Sequence, residues 1–187
     1  MSEKIVYQPF VKENVVKDED YAISFLQGLF AAEGDVNVNK GRVTELRISS
    51  KYLEERKFYE KVCKTARIDA KASLKTHHVV ITGLWNILKC LEIDIAKLHE
   101  IRKERLIKNL NNMQTIKAFS LLSNGDLTVR QMTKGLGISG YININKNFHN
   151  LFVHGFINRK KISKVYTYYV TERGRSLHLA LNIPQRN

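Results

Sequence analysis

Ser24, Gly28 and Ala32 recur at four-residue spacing, and a single carboxylate, Glu33, follows the last of them. On a helix that spacing puts three small side chains on one face, where a second backbone can approach closely. Glu33 stands just beyond that face, where the helix ends. If two such helices cross along their small faces, they bring two carboxylates to nearly one place. Adjacent carboxylates repel unless a cation lies between them. Mg²⁺ suits that spot, because it takes one or two carboxylates and completes its shell with water and phosphate oxygens. A metal held there activates water and stabilises the leaving oxygen of a phosphodiester. The competing reading is plainer: Gly28 and Glu33 pack and end an ordinary helix.

The elements that must position this acid follow from hydrophobic period and from turn residues. Asp20 is the predicted cap of a helix over 21–32, which Gly34 ends. The first twenty residues read as an irregular lead-in or a short strand. Val36 and Val38 alternate with Asn37 and Asn39; a turn at Lys40-Gly41 follows, then Leu46 and Ile48 alternate with Glu45, Arg47 and Ser49. Residues 52–66 read as a helix with Leu53, Phe58, Tyr59 and Val62 on its inner side. Two further β runs lie near 69–75 and 77–82, and Gly83 opens a helix carrying Leu84, Trp85, Ile87, Leu88 and Leu91. The order is αββαββα, an α+β arrangement. Residues 92–112 are charged and helix-prone, with Ile95, Leu98, Ile101 and Leu106 at roughly helical spacing, and read as a connecting helix.

With these elements in place, Leu26-Gln27-Gly28-Leu29-Phe30-Ala31-Ala32-Glu33-Gly34 resembles the LAGLIDADG motif of homing endonucleases, and the resemblance runs over roughly residues 20–95. It implies that the motif helices meet at an interface formed by Ser24, Gly28 and Ala32. It also implies that Glu33 is the catalytic, metal-binding acid, with the backbone carbonyl of Ala32 as a further ligand. The antiparallel sheet is expected to lie as a saddle in the major groove of double-stranded DNA, both strands of which are cut. Two positions depart from the motif: Gln27 stands where a small residue is usual and threatens to crowd the interface, and Ala31 stands where a second acid is usual. One motif supplies one acid, so the resemblance implies a homodimer and a roughly palindromic target.

On the polar side of the first hairpin, Asn37, Asn39, Arg47 and Ser49, with Lys40 and Arg42 at the turn, are candidate DNA contacts, because Asn and Arg read adenine and guanine edges bidentately. Lys71 and Lys75 are candidates in the second hairpin. A solvated sheet face is the alternative for each. His77 and His78 read as strand residues, since no Cys or His cluster accompanies them. Lys89 and Lys97 are the candidates for a basic residue near the acid.

Charge separates the halves. The chain carries a net +13; residues 1–110 hold 20 Lys/Arg against 16 Asp/Glu, and residues 111–187 hold 11 against 2, Asp126 and Glu172. That imbalance favours a polyanionic partner over an anionic membrane. A short helix over 115–122, a turn at Asn124-Gly125-Asp126 and a helix capped by Thr128 through Lys134 come first. A longer helix over 140–153 follows, stopped by Gly155. Short strands 156–159 and 165–170 flank a basic loop 160–164, and Thr171 caps a closing helix. This is the layout of a winged helix-turn-helix. Tyr141, Asn143, Asn145, Lys146 and Asn147 fall in the first half of its recognition helix, and Arg159, Lys160, Lys161 and Lys164 form a wing suited to phosphates. His149, Asn150 and His154 lie inside a helix, which argues against a His-Asn-His nuclease. The expected domains are 1–95, a connecting helix 96–112, and 113–187.

No stretch approaches a membrane span, the N-terminus lacks an apolar signal core, and Cys63 and Cys90 sit in apolar helical patterns that suggest buried free thiols. An intracellular, cytoplasmic protein is expected. Three functions compete: a homodimeric Mg²⁺-dependent DNA endonuclease, a non-catalytic regulator of the kind found among bacterial sporulation proteins that join a LAGLIDADG-like domain to a helix-turn-helix, and an RNA-splicing maturase. Glu33 favours the first.

Overall fold

A computed structural model describes residues 9–137 and 141–182; the side chains of residues 9, 10, 141–144, 146 and 147 lie outside the description. The chain divides into two compact units, Met1–Leu106 and Ile107–Asn187.

In the first unit the expected lead-in is partly helical: α1 spans Pro9–Val15. Proline suits a first helical position, having no N–H to leave unpaired, and Val15 is buried. Helix α2 spans Glu19–Glu33, and its cap is Asp18 rather than Asp20. The Asp18 Oδ1 accepts from the backbone N–H of Asp20 at 2.9 Å and of Tyr21 at 3.0 Å, so Glu19 and Asp20 fall in the first turn, where their charge opposes the helix dipole. Gly34 closes α2 with its N–H on the Phe30 carbonyl, in extended backbone. A side chain at Gly34 would run into the Phe30 ring and carbonyl, so glycine is needed there for close approach and not for a left-handed turn.

Strands β1 (Gly34–Asn39) and β2 (Arg42–Ser49) form the expected hairpin. Lys40 and Gly41 both take positive φ, 49° and 71°, the conformation that matches a two-residue turn to strand twist. Helix α3 (Leu53–Thr65), strands β3 (Lys71–Ala72) and β4 (His78–Thr82), and helix α4 (Leu84–Glu92) follow. The second hairpin is shorter than its sequence suggests, because the Ser73 hydroxyl accepts from the backbone N–H of Lys75 and Thr76 and turns the chain. The four strands pair antiparallel in the order β1-β2-β4-β3. Val36, Leu46, Ile48, Val79 and Ile81 are fully buried on one face, with Leu26 and Phe30 of α2, Tyr59 and Val62 of α3, and Ile87 and Leu91 of α4 in the same core.

Arg56 of α3 is only 5% exposed, which the polar pattern of the helix did not suggest. Its Nη1 donates to the Ser50 and Lys51 carbonyls at 2.7 and 3.2 Å, fixing the loop between β2 and α3. Helix α5 spans Glu100–Asn111. The helix expected from residue 92 starts late because the chain turns after α4, with Asp94 at φ 48°. Of the four apolar residues at roughly helical spacing, Leu98 and Ile101 are exposed, whereas Ile95 and Leu106 are buried.

The second unit contains α6 (Gln114–Leu121), a 3₁₀ turn, β5 (Leu127–Thr128), α7 (Val129–Gly135), α8 (Tyr141–Val153), β6 (Ile157–Ile162), β7 (Val165–Val170) and α9 (Glu172–Ala180). Thr128 and Gln131 close a reciprocal capping box on α7, and Thr171 caps α9. The strands pair antiparallel in the order β5-β7-β6. Phe119, Met132, Phe148, Leu151, Phe156 and Leu177 fill the core, and Phe148 meets Tyr168 edge-on at 5.6 Å. His178, 1% exposed, donates from Nε2 to the Phe119 carbonyl at 3.2 Å. The basic loop expected over 160–164 is mostly strand: Lys160, Lys161 and Ile162 belong to β6, and the turn shrinks to Ser163 and Lys164.

No described helix is long and apolar enough to cross a membrane. Cys63 and Cys90 are buried and unpaired, as their patterns suggested; burial pushes the Cys63 thiol up to about 12 and the Cys90 thiol well above its ordinary value.

Candidate carboxylate site and nucleic-acid surfaces

Helix α2 has two unlike faces. Ala22, Leu26, Leu29 and Phe30 are buried. Ser24, Gly28 and Ala32 are exposed, and Tyr21, 62% exposed, extends their row. A Cβ added at Gly28 would meet nothing within 4 Å. Gln27 does not crowd this row: its Nε2 donates to the Ile93 carbonyl at 2.7 Å, beyond the end of α4.

Glu33 is exposed at the foot of the row. Among the described residues its carboxylate has no ion pair, and no three His, Cys, Asp or Glu side chains group as a metal site. One chain therefore offers one carboxylate and the nearby Ala32 carbonyl. These hard oxygen donors are of the kind Mg²⁺ accepts, but they form half a site at most.

The basic groups at this end of α2 come from a place the sequence did not suggest. Arg102 of α5 donates from Nη1 to the carbonyls of Phe30 and Ala31 at 2.6 and 2.5 Å. A guanidinium beside the last carbonyls, one of which also accepts from the Gly34 N–H, opposes the helix dipole. Arg105 pairs with Asp35 at 3.4 Å. Lys89 instead donates to the Arg67 carbonyl and lies 5.2 Å from the Trp85 ring centroid, while Lys97 is exposed. Arg102 lies about seventy positions from the motif, and only its place in a charged helix hinted at a role.

On the sheet face away from the core, register aligns three rows. Asn37, Glu45 and Thr82 form one; Asp35, Arg47, Val80 and Lys71 form the next; Ser49 and His78 form the third. Asn37, Arg47 and Ser49 are thus brought to one surface. Glu45 sits between the first two and holds them: its Oε1 accepts from Asn37 Nδ2 at 3.0 Å and from Arg47 Nε at 2.6 Å. The Ser49 hydroxyl bonds His78 Nδ1 at 3.1 Å. Asn39, Lys40 and Arg42 are exposed at the hairpin end, Lys71 on β3 and Lys75 in the following turn.

In the second unit Asn145 is exposed on α8, whereas the side chains of Tyr141, Asn143, Lys146 and Asn147 lie outside the description. The four hairpin cations differ in circumstance. The Arg159 guanidinium lies between two rings, 4.6 Å from the Phe152 centroid and 4.3 Å from that of Tyr166. Lys160 pairs with Asp126 at 2.7 Å, which raises its pKa through the hydrogen bond and the opposite charge. Lys161 and Lys164 are exposed.

No curated protein and no solved structure matches the chain. The α+β unit with its antiparallel sheet, from α2 to the end of α4, coincides with a span that a family model recognises: residues 20–93 match the LAGLIDADG-like domain.

Proposed function

We propose that this protein is a homodimeric, divalent-metal-dependent endonuclease of the homing-endonuclease type, cutting double-stranded DNA at a specific, roughly palindromic site. The observation that carries this reading is the exposed Glu33 at the foot of an uncovered small-residue row, on a helix whose other face is fully used by the core. Small residues at such a row leave room for a second backbone. Pairing two rows would bring two Glu33 carboxylates together, and their repulsion would be relieved by a cation. Glu33 and the Ala32 carbonyl would hold Mg²⁺, which when bound supplies water activation and leaving-group stabilisation. Arg102 secures the last carbonyls of α2 and so fixes where Glu33 emerges. The outer face of the first sheet would lie on base edges through Asn37, Asn39, Arg47 and Ser49, with Lys40, Arg42, Lys71 and Lys75 toward phosphates.

The second unit reads as a winged helix-turn-helix that extends the footprint. Helix α7 precedes α8, which would enter the major groove with Tyr141, Asn143, Asn145, Lys146 and Asn147, while β6 and β7 form the wing. The excess of cations over acids in this half supports a polyanionic partner.

The test is incubation of supercoiled DNA bearing candidate target sites with Mg²⁺, comparing the wild type with Glu33→Gln. The expected result is linear product from the wild type only, with the variant losing at least about a hundredfold in cleavage rate while binding the same DNA. Binding without cutting by the wild type would instead assign the chain to transcriptional regulation.

A further inference from the structure

The second unit contains a cleft of about 360 Å³, bounded by the 3₁₀ turn after α6, the turn before β5, the end of β7 and α9. Clefts that receive small molecules begin at about 300 Å³. Leu122 and Val170 give this one apolar wall, and Asp126, Tyr169, Arg175 and His178 line it with polar groups.

Three of those polar groups differ in what they offer. His178 is 1% exposed, and its Nε2 donates to the Phe119 carbonyl. Loss of solvent lowers its pKa, so the ring is neutral at physiological pH and Nδ1 is an acceptor. Among the described residues Nδ1 has no hydrogen-bond donor. Asp126 holds Lys160 through Oδ2 at 2.7 Å, and among the described residues its Oδ1 accepts nothing. Arg175, exposed on α9, brings a guanidinium, which has donors only. The cleft thus carries two acceptors with room for a donor, and one cationic fork.

Charge narrows the occupant. Asp126 is one of only two acids in residues 111–187, which hold 11 cations, and it lines this cleft. A simple anion, a phosphodiester chain included, would meet its repulsion there. A simple cation would meet Arg175 and Lys160. A molecule with one charge of each sign answers both walls. The volume, at the low end for ligand sites, suits a short molecule.

We propose that this cleft binds a small zwitterion, a free α-amino acid with a short apolar or hydroxyl side chain. Its ammonium group donates to Asp126 and His178, its carboxylate accepts from Arg175, and its side chain lies toward Leu122 and Val170. Hydrogen bonds at both ends are charge-assisted, which makes them the stronger kind.

Isothermal titration of the full chain, without DNA, with L-alanine, L-serine and L-valine reads the site directly. Acetate and ethylammonium serve as probes of each half of the ligand. At least one of the three amino acids is expected to saturate the chain, binding at least about tenfold more tightly than either half-probe. Asp126→Asn and Arg175→Gln are each expected to weaken that binding about tenfold. His178→Phe, which keeps a ring and loses Nδ1, is expected to weaken it several-fold. Thermal melts without ligand check that each variant folds; if changes on α9 unsettle the unit, Asp126→Asn, at an exposed turn, carries the test. No saturable binding by any of the three amino acids would overturn the proposal. So would acetate binding as tightly as the amino acids, which would make the cleft a plain carboxylate site. Affinity unchanged in both Asp126→Asn and Arg175→Gln would place the amino acid elsewhere and overturn it too. None of these outcomes depends on whether the chain binds or cuts DNA.

Discussion

Asp126 and Glu45 do a similar job in different units: each occupies cations or amides that the sequence presents as open to DNA. Asp126 holds Lys160, and Glu45 holds Arg47 and Asn37. Counting charges along a chain credits every lysine equally, whereas a phosphate competes with whatever already sits beside the ammonium group. Replacing Asp126 by Asn should therefore tighten DNA binding several-fold at low salt. It should also steepen the salt dependence by about 1, since Lys160 then joins the phosphate contacts. Fluorescence anisotropy across a salt series reads both quantities, and an unchanged slope would mean that Lys160 faces away from the duplex. Arg159 differs again. Its guanidinium is already stacked on two rings, so its first role is to hold the hairpin against α8.

At the scale of elements, α2 is the informative case. One face is fully buried and supports the unit; the other carries Tyr21, Ser24, Gly28 and Ala32 in the open. Glycine inside a helix is costly, about 0.5–1 kcal/mol relative to alanine, and leucine is nearly as good a helix former as alanine. Space within the chain does not require glycine at position 28, because an added Cβ there meets nothing within 4 Å. Gly28→Leu should thus leave the thermal midpoint unchanged or raise it slightly, while weakening self-association at least about tenfold through the bulk it places on the row. Sedimentation equilibrium beside a thermal melt separates the two effects. If association survives the leucine, the row is not where two chains meet. The outer rows of the first sheet show the same division, since alternation puts Glu45, Arg47 and Ser49 on one face of β2 and register sets Asn37 beside Glu45 and His78 beside Ser49.

At the scale of the molecule, the two units answer pH differently. The first buries two thiols whose ordinary titration is already above neutrality, and burial moves them further up. The second buries His178, whose pKa is lowered chiefly by loss of solvent, with the bond to the Phe119 carbonyl opposing the shift. Its folded value lies below its unfolded one, so the unfolded chain binds the proton more readily. The stability it contributes is present above the ordinary histidine value of about 6.5 and is lost as pH falls below it. Thermal melts between pH 7.5 and 5 should show the second unit weakening as the solution becomes more acidic, and His178→Phe should flatten that dependence. An equal slope in the variant would place the acid sensitivity elsewhere.

The sequence by itself determined the order of elements from α2 to α9, the short β5 excepted, because hydrophobic period and turn residues act over a few neighbouring positions. Alternation placed β1 and β2, Lys40-Gly41 placed their turn, Thr128 and Thr171 announced two helices, and the spacing of Ser24, Gly28 and Ala32 marked one face of α2. The charge asymmetry between the halves was equally plain. Local pattern misread Asp20 as the cap because Asp18 and Asp20 are both competent, and only the bond geometry chooses between them. It missed α1, which is held by packing of Val15 more than by any strong local signal, and it drew the basic loop too long because Lys160 and Lys161 are poor strand formers that pairing with β7 overrides. Tertiary structure alone decided that Arg102 reaches the carbonyls of Phe30 and Ala31, that Arg56 is buried, and that Glu45 and Asp126 occupy residues expected to face DNA. Those contacts join positions far apart in the chain or depend on strand register, and side-chain chemistry read in sequence order carries no information about which distant partner will arrive.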